Sequence, residues 1–294
     1  MRECLEKKEL AIVFGATGNM TFALGNVLIG LKKHSPHLNA DIIVFEQNIS
    51  VKDKNILNSI LSCRFIYYKF PYDGFLTKDT LKRFSELTFA RFECFKLLNK
   101  YKKVLWLDID ILICQDIQPL LDFHSTGISL ALGDENAPDF DIEVNDISHY
   151  NAGVLYLQDN LFNYQALTEW CYNKTLEYSQ CLKCADQGII NLMIKELGII
   201  VHSIPQEFNF NPIYTINADT RQGIILHTFC PEKFWNYWIN NEWDTNYQEW
   251  TKIGGSKYKG FWKRKLKDIP NPIRKPRRFI KYLINKIRYF KAKG

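Results

Sequence analysis

Val104-Leu105-Trp106-Leu107-Asp108-Ile109-Asp110-Ile111-Leu112-Ile113 is the stretch on which the fold turns. Four apolar residues in a row, VLWL, suit a short strand buried on both faces. Two aspartates follow at i and i+2. In extended chain that spacing points both carboxylates the same way. Like charges at the mouth of an apolar strand are costly unless a cation neutralises them. A hard divalent metal is the natural candidate. In an open α/β sheet, the carboxyl end of a strand is also where ligands bind. A bare D-x-D equally admits a plainer arrangement, with one Asp capping the turn and the other solvated.

Upstream, strand-like and helix-like segments alternate. Leu10–Phe14, Asp41–Phe45 and Arg64–Tyr68 read as strands, and Thr21–Lys33 and Lys52–Leu61 as helices. Leu81–Asn99 carries Phe84, Leu87, Phe92, Phe95 and Leu98 at helical spacing. Alternating β and α elements predict a doubly wound, mostly parallel sheet. Downstream the pattern is less regular. Ser129–Leu132, Val154–Leu157, Ile199–Ser203 and Gly223–His227 read as strands, and Glu169–Tyr178 and Gln187–Leu197 as helices.

A chain of 294 residues can bury enough surface to fold without a disulfide or metal staple. Its eight cysteines are expected as free thiols. Cys181-Leu-Lys-Cys184 lacks the second pair that a zinc site would need. The segment MRECLEKKEL has acids where a secretion signal needs an apolar core, and no apolar run approaches the length of a membrane span. A cytoplasmic protein is expected.

Charge divides the chain. Of 38 Lys and Arg, sixteen lie in residues 252–294, against one acid, Asp268. The remainder is net acidic. Gly254-Gly255, Pro270, Pro272 and Pro276 break structure there. Arg277–Lys291 then sets Phe279, Ile280, Leu283, Ile284, Ile287 and Phe290 on one helical face. Residues 1–253 are expected to form the catalytic domain and 254–294 a basic tail. Aromatic and basic residues interleaved in this way suit an anionic bilayer. Nucleic acid is the rival partner, but the body offers no recognised reader module. The expectation is peripheral binding through residues 258–294 to the inner face of the cytoplasmic membrane, with no nucleic acid bound.

Other elements give the aspartates a setting. Phe89-Ala90-Arg91 places Arg91 seventeen residues before Asp108. Tyr150-Asn151-Ala152-Gly153-Val154-Leu155, Asp186-Gln187-Gly188-Ile189-Ile190-Asn191 and Phe208-Asn209-Phe210-Asn211-Pro212 follow, and His227 precedes Lys233 by six residues. In this order the motifs resemble the retaining glycosyltransferases of family 8, the glycogenin and lipooligosaccharide galactosyltransferase group. They span roughly Leu10 to Trp235.

The resemblance implies a GT-A fold, a UDP-sugar donor, bound manganese (or magnesium), and an oligosaccharide or glycolipid acceptor. Asp108, Asp110 and His227 are an oxygen, oxygen, nitrogen set that suits such a metal. Lys233 would add a point charge to the diphosphate, and Arg91 a planar fork to the donor. By the same resemblance Asn151, Ala152 and Gly153 line the donor sugar, Asp134 and Asp186 bind its hydroxyls, and Gln187 lies near the anomeric carbon. Asp186 and Gln187 are the catalytic candidates. Ala16, Thr17 and Asn19, with Ile109, are implied for the nucleotide. The chain departs from the family at Thr17, where an acid usually meets uracil, and at Cys230, where a glycine is usual.

The stretch Ala11–Met20, AIVFGATGNM, suggests an alternative: an NAD(P)-dependent oxidoreductase binding pyrophosphate at Gly15-x-x-Gly18. Such fingerprints usually want a third small residue and an acid about twenty residues on. Thr21 and a rather late Glu46 stand at those places. A phosphatase built on Asp108 and Asp110 expects Thr or Val where Leu112 stands.

Overall fold

The computed structural model of the chain describes residues 6–133, 138–142, 144, 147, 149–212, 223–229, 233–235, 241–259, 280, 283 and 284. In chain order its elements are β1 (Lys8–Thr17), α1 (Thr21–His34), β2 (Asp41–Gln47), α2 (Val51–Ile60), β3 (Cys63–Tyr67), α3 (Lys78–Arg83), a 3-10 helix (Glu86–Phe92) and α4 (Glu93–Leu97). Then come β4 (Tyr101–Leu107), β5 (Ile111–Ile113), α5 (Gln118–Leu121), β6 (Ile128–Leu132), β7 (Tyr150–Gln158), α6 (Tyr164–Glu177) and α7 (Ala185–Glu196). Last are β8 (His202–Ser203), a 3-10 turn (Gln206–Asn209), β9 (Ile225–His227) and α8 (Asn241–Lys252).

Seven strands form one sheet in the order β3-β2-β1-β4-β7-β6-β8, and β5 pairs with β9 in a second. β3, β2, β1 and β4 are parallel, β8 is parallel to β6, and β7 runs antiparallel to both β4 and β6. One strand therefore opposes the other six, and the sheet is mostly parallel as expected. Side chains alternate across it. Ala11 and Val13 of β1, with Val104 and Trp106 of β4, join a core that holds the first 3-10 helix, α4, α6 and α7. Leu10, Ile12 and Phe14, with Leu105 and Leu107, join a second core under α1, α2, α8 and the β5–β9 pair. Two buried faces make the sheet doubly wound.

The single helix expected over Leu81–Asn99 is broken. Phe84 and Ser85 are extended, and the Ser85 hydroxyl accepts from the Leu87 N–H at 3.1 Å. This cap starts a fresh turn of 3-10 geometry. Helical spacing of apolar residues does not reveal such a restart, because each piece keeps its own buried face. Of the strand expected over Ile199–Ser203, only His202–Ser203 pairs, at the sheet edge beside β6.

α8 was not anticipated, although Trp243, Tyr247 and Trp250 recur at helical spacing. Packing continues beyond residue 253. Trp250 is fully buried, and its indole N–H donates to the Ser256 carbonyl at 2.9 Å. The Ser256 N–H donates to Asp53 at 3.0 Å, and the Tyr258 ring lies 4.7 Å from that of Phe22. The start of the basic segment is thus chain packed on the body. The amphipathic stretch 277–291 falls outside the described residues apart from Ile280, Leu283 and Ile284, which are helical.

Trp250→Ala should cost about 3–5 kcal/mol in chemical denaturation, the usual penalty for emptying a large aromatic site. It should also speed amide exchange at Ser256. A loss within about 0.5 kcal/mol, the scale of an ordinary surface change, would contradict this packing.

Candidate active site

β4 delivers Asp108 at its end. The Asp108 N–H still donates across to the Gly153 carbonyl at 2.9 Å, continuing the β4–β7 ladder. The next two residues form a turn rather than extended chain. The carboxylates therefore do not share a direction by strand alternation, as the i, i+2 spacing suggested. The turn redirects the chain into β5, which leaves the main sheet to pair with β9. That pairing sets Ile111 opposite His227 and so brings the imidazole beside Asp110. His227 Nε2 lies 3.1 Å from Asp110 Oδ1 and 3.8 Å from Asp108 Oδ2. The ligand atoms of the three residues lie within 4.8 Å of one another.

The counter-charges come from elsewhere in the chain. Lys233 donates to Asp110 Oδ2 and to the Thr228 carbonyl. Burial opposes ionisation of Asp110, but Lys233 and His227 outweigh it and hold its carboxyl well below the usual range. Arg91 is buried and forks between Asp108 Oδ1 and Asp186 Oδ2. Its guanidinium lies 5.1 Å from the centre of the Trp106 ring, and the indole N–H also donates to Asp108, at 2.8 Å. Residues at i and i+3 eclipse in a 3-10 helix. Accordingly Thr88 and Arg91 hold the two oxygens of Asp186, Thr88 at 2.8 Å. Burial pushes Asp186 up to about 6; Arg91 opposes the rise and Asp108 adds to it.

The first turn of α7 carries Asp186 and Gln187. Gln187 Oε1 accepts from Asn151 Nδ2 at 3.2 Å and from the Ala152 N–H at 3.3 Å. Its Nε2 donates to Asp139 at 2.9 Å. Gly153 permits a close approach: a Cβ there would stand 2.1 Å from His227 Cε1. Arg91, Asp108, Asp110, Asn151, Ala152, Gly153, Asp186, Gln187, His227 and Lys233 are thus gathered into one connected cluster, from six separate parts of the chain. Ile109 is half-buried against the second core. Asp134 and Cys230 lie outside the described residues.

Thr17 and Asn19 stand at the end of β1 and bond to each other at 2.5 Å. With Gly18, Gln47, Asp53 and Lys257 they line a cavity of about 490 Å³, and Ala16 is buried behind them. Gly18 is required by packing: a Cβ would meet the Asn48 carbonyl oxygen at 2.0 Å. The glycine of the supposed dinucleotide fingerprint is therefore pressed against the loop after β2.

Sequence reasoning did not single out Asp139, Asn209, Thr88 or Trp106. Asn209 and Trp106 lie inside FNFNP and VLWL, two of the segments that carry the family resemblance, so a signal existed. Asp139, in the run PDF, offered none.

The sequence matches the profile of Glycosyl transferase family 8 across residues 11–239. A provisionally named glycosyltransferase of Haemophilus influenzae is 24% identical over 76% of this chain and 72% of its own. The lipopolysaccharide glucosyltransferase WaaO of Escherichia coli K12 is 22% identical over 96% of this chain and 88% of its own. Among solved structures, galactosyltransferase LgtC, in complex with donor and acceptor sugar analogs, superposes with a TM-score of 0.63. It is 19% identical over 83% of this chain and 99% of that one. At that identity the likeness establishes the fold, which is GT-A. The family match also replaces the oxidoreductase reading of AIVFGATGNM: this chain belongs to glycosyltransferase family 8.

Proposed function

We propose that this chain transfers a hexose, galactose or glucose, from a UDP-sugar to a hydroxyl of a lipid-linked or lipopolysaccharide-type oligosaccharide, with retention of configuration. The observation that carries the reading is the convergence of Asp108, Asp110 and His227 Nε2 beside Lys233 and Arg91, in a family of glycosyltransferases. Two carboxylates and one imidazole are a donor set for a hard to borderline divalent cation, manganese or magnesium. The geometry fits one, since the three ligand atoms lie within 4.8 Å of one another. Bound there, such an ion supplies a Lewis acid against the charge that builds on the departing UDP.

The protein's own groups do the rest. Lys233 is a mobile point charge for the same diphosphate. Arg91 neutralises Asp108 and Asp186 together, so both acids can stay in place in a buried site. Asp186 and Asn151 present acceptors and donors to the sugar hydroxyls. Gln187 is a poor nucleophile, because an amide has no group that ionises near neutral pH. Its oxygen is further occupied by two N–H donors. A front-face reaction, in which the leaving phosphate takes the acceptor proton, suits this site better than a covalent intermediate. The loop Ala16–Asn19 takes the base and ribose, with Thr17 in place of the usual acid.

Among the described residues no helix is long and apolar enough to cross a membrane. The relation to the lipopolysaccharide enzyme WaaO supports an acceptor at a membrane surface, reached through the basic residues that follow Lys259.

A panel of UDP-sugars tests the donor reading. One member should be hydrolysed without acceptor, only when manganese or magnesium is present. Asp110→Asn should slow that hydrolysis about 100-fold or more, the scale of losing one preorganised charge-stabilising group. Turnover unaffected by chelator would refute the metal role.

Truncation after Lys259 should keep this hydrolysis and abolish sedimentation with anionic liposomes. Each basic residue near such a surface is worth ~1 kcal/mol. Equal sedimentation of both forms, or of neither, removes the membrane proposal.

Asp186 makes a pH prediction for the metal-free protein. Its folded pKa lies above its ordinary value of 3.8, at about 6. The folded state then binds more protons than the unfolded state between those values, so stability should fall as pH rises through about 4 to 6. Asp186→Asn should flatten that slope in urea titrations; an unchanged slope would contradict the assignment.

A further inference from the structure

One buried carboxylate holds two side-chain amides of α7. Asp139 is only 3% exposed. Its Oδ1 accepts from Gln187 Nε2 at 2.9 Å, and its Oδ2 from Asn191 Nδ2 at 2.6 Å. Gln187 and Asn191 stand four residues apart, on one face of the helix. Gly188 lies between them and makes the room. A Cβ there would stand 3.1 Å from Asp139 Cβ and 3.2 Å from its carbonyl oxygen.

Both amides are also bonded to the start of β7. The Ala152 N–H donates to Gln187 Oε1 at 3.3 Å, and Asn151 Nδ2 does so at 3.2 Å. The Tyr150 N–H donates to Asn191 Oδ1 at 3.2 Å, and Asn191 Nδ2 donates to the Tyr150 carbonyl at 3.1 Å. A side-chain amide can be turned end for end, but a backbone N–H cannot become an acceptor. Ala152 and Tyr150 therefore fix where each amide oxygen points and leave an NH2 toward Asp139. The side chain between two NH2 groups has to accept on both sides. A carboxylate does this, and a carboxamide cannot. The Cys184 thiol lies beside the same carboxylate. Burial, with Asp139 adding to it, pushes that thiol up to about 12, so it meets the acid as a neutral S–H. Among the described residues no cation pairs with Asp139; Lys183 pairs with Asp141 instead.

The main chain of Asp139 acts at the same place. Its carbonyl accepts from the Lys183 and Cys184 N–H groups, at 2.9 and 3.1 Å. The next residue, Ala185, opens α7 at a φ of 46°. A residue with a Cβ persists in that left-handed region only where its surroundings over-determine it. Asp139 holds the chain on both sides of Ala185, with its carbonyl before it and its carboxylate after it. The negative charge also lies at the end of α7 that favours it.

We propose that Asp139 is a positioning residue for the sugar side of the site: it fixes the first turn of α7 against Tyr150–Ala152 of β7, so that Asp186, Gln187 and Asn151 meet the donor sugar as one preorganised surface. Groups held in place in this way speed a reaction by orientation, without adding a contact of their own. The proposal rests on the reading of that surface as the donor-sugar site. It draws on neither the metal ligands nor the groups assigned to the diphosphate.

The test is initial-rate hydrolysis of UDP-galactose and UDP-glucose with manganese, together with inhibition of that hydrolysis by UDP. In Asp139→Asn one of the two α7 amides must face another NH2. Turnover should fall about 10–100-fold, the scale of misplacing reacting groups by ~1 Å. UDP, which has no sugar to place, should inhibit the variant as strongly as it inhibits the wild type. Hydrogen exchange of the wild type, read by nitrogen-15 NMR, needs no folded variant: the Gln187 side-chain amide should be protected from water. Exchange at the rate of a fully exposed glutamine overturns the proposal. So does Asp139→Asn with wild-type turnover, or with turnover and UDP inhibition weakened equally, which is the mark of general unfolding. A wild type that hydrolyses neither sugar nucleotide removes the sugar surface itself and the proposal with it, whereas intact hydrolysis by Asp139→Asn removes the proposal alone.

Discussion

Three carboxylates, Asp108, Asp110 and Asp186, converge where β4 ends, and the surroundings are arranged to make that charge tolerable. Like charges in a partly buried cleft are costly unless each is paired and hydrogen-bonded. Arg91 answers two of them, and Lys233 and His227 answer the third. These partners lie far apart in sequence. The first 3-10 helix supplies Arg91, β9 supplies His227, and the segment after β9 supplies Lys233. The cluster is therefore a product of the whole fold, and it forms only when distant elements are in register.

The one reversed strand is central to that register. Parallel strands present their C-terminal ends to a ligand. β7 runs the other way, so its N-terminal end lies beside the end of β4, with Val154 opposite Leu107. This places Asn151, Ala152 and Gly153 against the aspartates. Gly153 then lets His227 lie against the β7 backbone, where a larger residue would displace it. The proposed sugar side and the proposed metal side thus meet at a strand that ordinary doubly wound topology would have oriented away.

The alternation of apolar strands and helices made the layered sheet legible in the sequence, because period 2 and period 3.6 are local signals. The aspartates of VLWLDIDILI were legible as a charged site for a similar reason: an abrupt change from buried to acidic needs no distant information. The direction of β7 was not legible, since alternation reads the same in either direction. Nor was the restart at Ser85, which decides where Arg91 points. Asp139 contacts Gln187 across 48 residues of sequence, and nothing in its local pattern marks it. AIVFGATGNM was legible as a strand and turn, but the close approach that requires Gly18 is made by a different loop. Motif order across the whole chain carried more about function than any single motif.

The role proposed for Asp108, Asp110 and His227 is a divalent-cation site that works jointly with a nucleotide diphosphate. Calorimetric titration of manganese with and without UDP tests that claim most directly. UDP should strengthen manganese binding, and manganese should strengthen UDP binding by the same factor, as linkage requires. Manganese affinity indifferent to UDP, or UDP binding undiminished by chelator, would contradict it.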